Sequence, residues 1–196
     1  MKLLVLFAVL GVAVCEGTED RPAWLNENTF GQYQDAWQSI QGDENSRYYL
    51  YQSTYKTDKV WGDDFICVSV KATTVHKEDE SIDAEIKYKN KDKPDEFQTS
   101  AEKVTAIKMH GYNKKNGIKY EAKKGAEEFT FNDTLAFTDP NCDIFYTESK
   151  DYELWVNQNS VKKVPACCQF MFKLFAGNKN IHNIYQDDCD PEAKSA

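Results

Sequence analysis

From Arg47 to Asn157 apolar and polar residues alternate in short runs. RYYLYQSTY (47–55), DFICVSVKA (64–72), SIDAEIKYK (81–89), DEFQTSAEKVTAIKMHGY (95–112), GIKYEAK (117–123), EEFTFNDTLAF (127–137), CDIFYTE (142–148) and DYELWVN (151–157) are each rich in aromatic or β-branched residues. Charged residues or Gly, Asn, Asp and Pro separate them. A period of two is that of a strand, whose side chains point to opposite faces in turn. About eight such runs at close spacing predict an antiparallel barrel or sandwich. The period changes on either side of this array. In TFGQYQDAWQSIQG (29–42), Phe30, Tyr33, Trp37 and Ile40 recur at helical spacing and predict one amphipathic helix ending near Gly42. VPACCQFMFKLFAGNKN (164–180) starts near a proline, carries Phe170, Phe172, Leu174 and Phe175, and predicts a C-terminal helix packed on the sheet. Helix, eight strands and helix fit most economically into an eight-stranded up-and-down barrel, which can hold a small ligand in its mouth. Periodicity alone leaves a sandwich open.

The first residues bear on where such a barrel works. MKLLVLFAVLGVAVCEG has a lysine, an apolar run and a small-residue exit. That is the pattern of a secretory signal peptide (1–17) cleaved after Cys15 or Gly17, too short and wrongly flanked for a membrane span. The rest, 18–196, has the size of one domain, and no later apolar run is long enough to span a bilayer. Once Cys15 has left, Cys67, Cys142, Cys167, Cys168 and Cys189 remain. In an oxidising compartment they are expected in disulfides rather than metal sites. Their odd number leaves one thiol spare or paired with another chain. The net charge of −8, from 32 acidic and 24 basic residues, argues against nucleic acid and anionic membranes as partners. It suits a cationic ligand, and solubility accounts for it equally well.

The placement of the acids says more than their number. If EEFTFNDTLAF is one strand, Phe129, Phe131, Leu135 and Phe137 share a face with Asp133 in the middle of it. The alternative is a turn at Asn132-Asp133, which both residues tolerate. Asn132-Asp133-Thr134 is also an N-glycosylation sequon. A glycan on Asn132 has to face solvent, and on a strand that sends Asp133 inward. Glu153 shares a face with Trp155, but the opposite face, Tyr152, Leu154 and Val156, is equally apolar. Tyr55, Asp58 and Trp61 fall within seven residues, Glu102 precedes Lys103 in a predicted strand, and Asp143 follows Cys142. Taken singly, each acid fits a solvated loop or outer face just as well. Several acids among aromatics inside a barrel, where an isolated charge is costly, make sense if an organic cation pairs with them and rests on the ring faces. His76, His110 and His182 lie far apart without metal-ligand spacing. No G-x-S-x-G, H-E-x-x-H, P-loop or dinucleotide fingerprint is present, and no cofactor is implied. A glycosidase-type carboxylate pair stays as a hydrolytic alternative.

DAWQSI, YYLYQSTYKTDKVWGDDFICV, AEKVTAIKMHGYN, NCDIFY and YELW, in that order and spacing, resemble the tick salivary histamine-binding lipocalins from about Trp24 to Cys189. The general lipocalin Gly-x-Trp signature is missing from the first helix region, where DAW stands instead. The resemblance implies an eight-stranded antiparallel lipocalin barrel flanked by helices. It implies a secreted, non-enzymatic protein that sequesters histamine, and in some members serotonin, at a host feeding site. Internal acids would grip the amine and imidazole, and aromatics would sandwich the ring. Two sites are implied: Tyr55, Asp58, Trp61, Glu102 and Phe131 for one; Asp43, Ile118, Tyr120, Asp133, Asp143, Glu153 and Trp155 for the other. Ile118 stands where the family pattern leads one to expect phenylalanine, which puts ring stacking there in doubt. The resemblance also implies disulfides Cys67–Cys189 and Cys142–Cys168, with Cys167 as the extra cysteine. An exposed Cys167 would pair with its copy in a disulfide-linked homodimer; a buried or capped one would leave a monomer. The reading of a different class is a vestigial pocket and an outer surface that binds a host protein.

Overall fold

The computed structural model describes residues 22–189; the predicted signal peptide, with Cys15, lies outside them. After β1 (Tyr48–Ser53) comes a small hairpin, β2 (Thr57–Asp58) and β3 (Gly62–Asp63). Seven strands follow: β4 (Ile66–His76), β5 (Ser81–Asn90), β6 (Lys93–Ile107), β7 (Gly117–Lys124), β8 (Glu127–Asp139), β9 (Cys142–Tyr146) and β10 (Tyr152–Asn157). From β4 to β10 each pairs antiparallel with the next, and β1 joins β10 to β4. The sheet therefore closes into an eight-stranded barrel, not a sandwich, and closure removes the sheet edges. A further strand, β11 (His182–Asn183), pairs with Gln52 and Ser53 of β1 on the side away from β10.

The N-terminal segment departs from its predicted single helix. It forms α1 (Glu27–Phe30), a tight turn over Gly31–Tyr33, and α2 (Ala36–Gln41). Asp35 caps α2, its carboxylate accepting the Gln38 N–H at 3.0 Å. The buried Gln34 amide donates to the carbonyls of Trp24 and Ala136. That break splits the apolar stripe between two places. Trp37 and Ile40 join the barrel interior, whereas Phe30 packs edge-on against Phe175 outside the barrel and Tyr33 lies against Phe137.

The C-terminal helix, α3 (Ala166–Ala176), lies on the outer face of β9 and β10. Cys168, Phe172 and Ala176 are buried beneath it, while Phe170 and Leu174 are 64 % and 58 % exposed. At about 100° per residue the four predicted apolar positions cannot all face one way. Trp24, Ile144, Leu154, Val156 and Phe172 form an outer apolar layer, distinct from the interior cluster of Leu50, Phe65, Val68, Ile82 and Leu135. Cys142–Cys168 ties α3 to β9, and Cys67–Cys189 ties the C-terminal segment to β4, with Cα atoms 6.2 and 4.9 Å apart. Cys167 is free and exposed. Phe137 does not share the face of Phe129, Phe131 and Leu135: a shift of register between Leu135 and Phe137 turns it into the outer layer. Among the described residues no helix is long and apolar enough to cross a membrane.

Candidate functional site

The turn at Asn132-Asp133 does not form. β8 runs through both residues. Asn132 faces outward, its side-chain amide and backbone N–H both donating to Glu148 at 2.8 Å. Asp133 therefore faces inward and is 2 % exposed. β10 has two buried faces for a structural reason: Tyr152, Leu154 and Val156 lie in the layer under α3, while Glu153 and Trp155 line the barrel. Glu102 points inward from β6, and Asp143 from β9.

Glu102, Asp133, Asp143 and Glu153 line one internal cavity of about 70 Å³, roughly room for five waters at ~10–15 Å³ each. Trp61, Ile118, Tyr120 and Trp155 contribute to its walls, and among the described residues no lysine, arginine or histidine does. A second cavity, of about 290 Å³, opens between the β2–β3 hairpin and β7–β8, lined by Tyr55, Asp58, Lys59, Tyr120, Phe131 and Asp133 among others. The two residue sets implied by the resemblance meet in space. Tyr55 of the first donates its hydroxyl to Glu153 of the second. Trp61 and Glu102 of the first share the inner cavity with most of the second, and Tyr120 and Asp133 border both cavities. Asp43 belongs to the turn Gly42–Glu44, and its side chain lies outside the described residues.

Neutral donors hold these acids. Glu153 accepts from Tyr55 and, at 2.8 Å, from the Trp155 indole. Glu102 accepts from Ser100 at 3.1 Å. Asp58 accepts the backbone N–H groups of Val60 and Trp61 at 2.7 and 2.8 Å, and Asp133 that of Glu148 at 3.1 Å. Without a cationic partner, burial works against ionisation. It raises Glu102 to about 7, with Asp58 and Glu153 adding to the shift and the Ser100 hydroxyl opposing it. Burial raises Asp143 to about 6 against the opposing hydroxyls of Thr138 and Ser39. Asp133 and Glu153 are raised too, again mainly by burial, and the Glu153 charge adds to the shift of Asp133. Burial and the surrounding carboxylates push the Tyr55 and Tyr120 hydroxyls up, so both remain neutral donors.

Aromatic rings complete the lining. Tyr120 and Phe131 stack with centroids 5.0 Å apart, and Trp61 meets Trp155 edge-on at 6.3 Å. Such a chamber can take up a small organic cation, matching ammonium to carboxylate and ring to ring. The histidines lie elsewhere: His76 pairs with Asp83, His110 bonds the Thr134 hydroxyl, and His182 sits on β11. Sequence reasoning missed Ser100, Ser39 and Lys59. Ser100 was within reach, two residues before Glu102 on the same strand face. No pattern along the chain announces that Ser39 of α2 approaches Asp143.

Residues 24–191 match the family described as tick histamine binding protein. The chain belongs to this family. The male-specific histamine-binding salivary protein of Rhipicephalus appendiculatus is 43 % identical over 97 % of this chain and 98 % of that one. Female-specific histamine-binding protein 1 of the same tick is 36 % identical over 98 % of this chain and 100 % of that one. Solved structures share the family member's barrel. AM182 in its serotonin complex gives a TM-score of 0.58 at 23 % identity, covering 80 % of this chain and 92 % of that one. Insecticyanin from the tobacco hornworm Manduca sexta gives 0.51 at 10 % identity, covering 76 % and 82 %. At those identities the likeness is one of fold.

Proposed function

We propose that this protein binds histamine, or a closely related aromatic amine such as serotonin, inside its barrel and holds it without chemical change. The observation that carries this reading is the set of four buried carboxylates in a cavity that no basic side chain among the described residues lines. A bound ammonium supplies the missing positive charge, and an imidazole gains a proton beside a carboxylate. Charge-assisted hydrogen bonds in a water-poor aromatic pocket support tight binding. Relatives named histamine-binding point the same way. With a signal peptide at 1–17 and relatives that include a salivary protein, the place of action is extracellular. There the protein lowers free amine and so dampens the host's inflammatory response. Tyr55, Asp58 and Phe131 serve the mouth, Glu102, Glu153 and Trp155 the inner chamber, and Asn132 carries a glycan on the outer wall. Titration calorimetry with histamine tests the reading. Saturable heat that serotonin competes away is expected; no heat and no competition overturns it.

The same proposal extends to assembly. Cys167, Phe170 and Leu174 lie three and four residues apart on the exposed side of α3, so they share one face. We take this face as the contact of a two-fold dimer bridged by Cys167. A non-reducing gel should show a dimer band that disappears on reduction and in Cys167→Ser. A monomer band under all conditions removes the dimer.

A further inference from the structure

The acids of the inner cavity do not form one group. The register places Glu153 opposite Ser53, at the end of β1 that leads into the β2–β3 hairpin. Trp155 lies opposite Leu50, toward the end of β1 that α2 precedes. Asp143 is the cross-strand partner of Trp155, and Ser39 of α2 lines the cavity with it. Asp143 thus sits deeper than Glu153 by two residues, about 7 Å along the strand, and one strand over, about 4.8 Å. Electrostatics draws the same division. Asp58 and Glu153 act on Glu102, Asp58 acts on Glu153 and Glu153 on Asp133, whereas Asp139 outside the cavity is the charge that acts on Asp143. The cavity wall also carries apolar Val104, Ile118 and Phe145; Phe145 is the cross-strand partner of Glu153 and stands two residues from Asp143 on β9. At the deep pole Asp143 is 5 % exposed; the hydroxyls of Thr138 and Ser39 approach its carboxylate, and its Oδ1 still has no hydrogen-bond partner among the described residues. A buried acceptor left open and bordering a cavity marks a place for a donor from a ligand.

We infer that the cavity accepts a linear α,ω-diammonium ion as a single ligand, one ammonium among Glu102, Asp133 and Glu153, the other on Asp143, with the methylenes against the apolar wall. This rests on the amine reading of the site and goes beyond it in ligand class. Aromatic stacking contributes little to such a ligand; the spacing of two charges selects it. A cavity of about 70 Å³ suits an unbranched chain of few heavy atoms.

Calorimetry with 1,5-diaminopentane, 1,3-diaminopropane, n-pentylamine and histamine decides the matter. The expected result is one 1,5-diaminopentane per barrel, displaced by histamine. It should bind at least roughly tenfold more tightly than n-pentylamine, which leaves Asp143 unpaired, and than 1,3-diaminopropane, which is too short to reach it. Asp143→Asn should bring the longer diamine down to the level of n-pentylamine. Equal binding of diamine and monoamine, or a diamine affinity untouched by Asp143→Asn, overturns the inference. Histamine binding without diamine binding sinks this inference alone; failure of every amine, histamine included, sinks the functional reading with it.

Discussion

The two faces of β10 are both buried, and they are built for different ends. Tyr152, Leu154 and Val156 face a dry layer of aromatic and aliphatic side chains under α3, stapled by Cys142–Cys168. Glu153 and Trp155, alternating with them, face a cavity with four carboxylates and, among the described residues, no counter-charge. Burying apolar surface stabilises a fold, whereas burying a carboxylate without a cation does the reverse. The outer layer therefore stabilises the barrel, and the interior keeps buried acids that, in the proposed function, a cationic ligand completes. Burial alone does not reveal which of the two a residue serves; its partners do.

The comparison is most strongly tested from the outside. Phe172 is fully buried in the outer layer. Phe172→Ala should remove about 3–5 kcal/mol of stability in denaturant unfolding, while the folded fraction keeps its affinity for histamine. A large loss of affinity in the folded protein would merge the two regions into one. Glu102→Gln should act in the opposite sense. It should weaken amine binding by about 2–5 kcal/mol by calorimetry, the usual loss when one partner of a desolvated charge pair is removed, with no loss of stability.

Changing the pH should divide the regions by sign. Glu102, at about 7, and Asp143, at about 6, hold protons in the empty fold that they give up near 4 when unfolded. The folded state then binds more protons than the unfolded one between about pH 4 and 7. This contribution to the empty protein's stability is complete below about 4 and is lost as pH rises through 6–7. Binding of a cation requires the same groups ionised, so affinity should fall as pH is lowered from 8 to 5.5. Thermal melts of the empty protein and calorimetry across this window should show opposite slopes; parallel slopes would mean that the interior acids do not set either. The smallest effect expected is that of Asn132→Gln. On the outer wall it should change stability by no more than about 0.5 kcal/mol and leave amine affinity alone.

Much of this division was legible in the chain. The period of two marked the eight strands, and the sequon favoured an outward Asn132 and an inward Asp133 on condition that a strand, and no turn, runs through both, as β8 does. Where the period failed, another principle had taken over. Phe30 and Ile40 share one helical stripe in sequence, yet Asp35 caps a new helix and buried Gln34 anchors the break, so they enter different layers. The face of Glu153 could not be read from β10 because α3 makes the opposite face equally apolar. Phe137 left its predicted face through an irregularity of register that no residue type announced. The nearness of Ser39 and Tyr55 to acids distant in sequence is a product of barrel closure.

Whether the interior acids serve a cation rather than the fold can be asked most directly at Glu153. Thermal melts of wild type and Glu153→Gln, each with and without saturating histamine at pH 7.5, answer it in one experiment. The predicted result is that the variant melts no lower than wild type when empty, and that histamine raises the wild-type midpoint well above the variant's. An empty variant that melts far below wild type, or a histamine shift of equal size in both, would contradict the account.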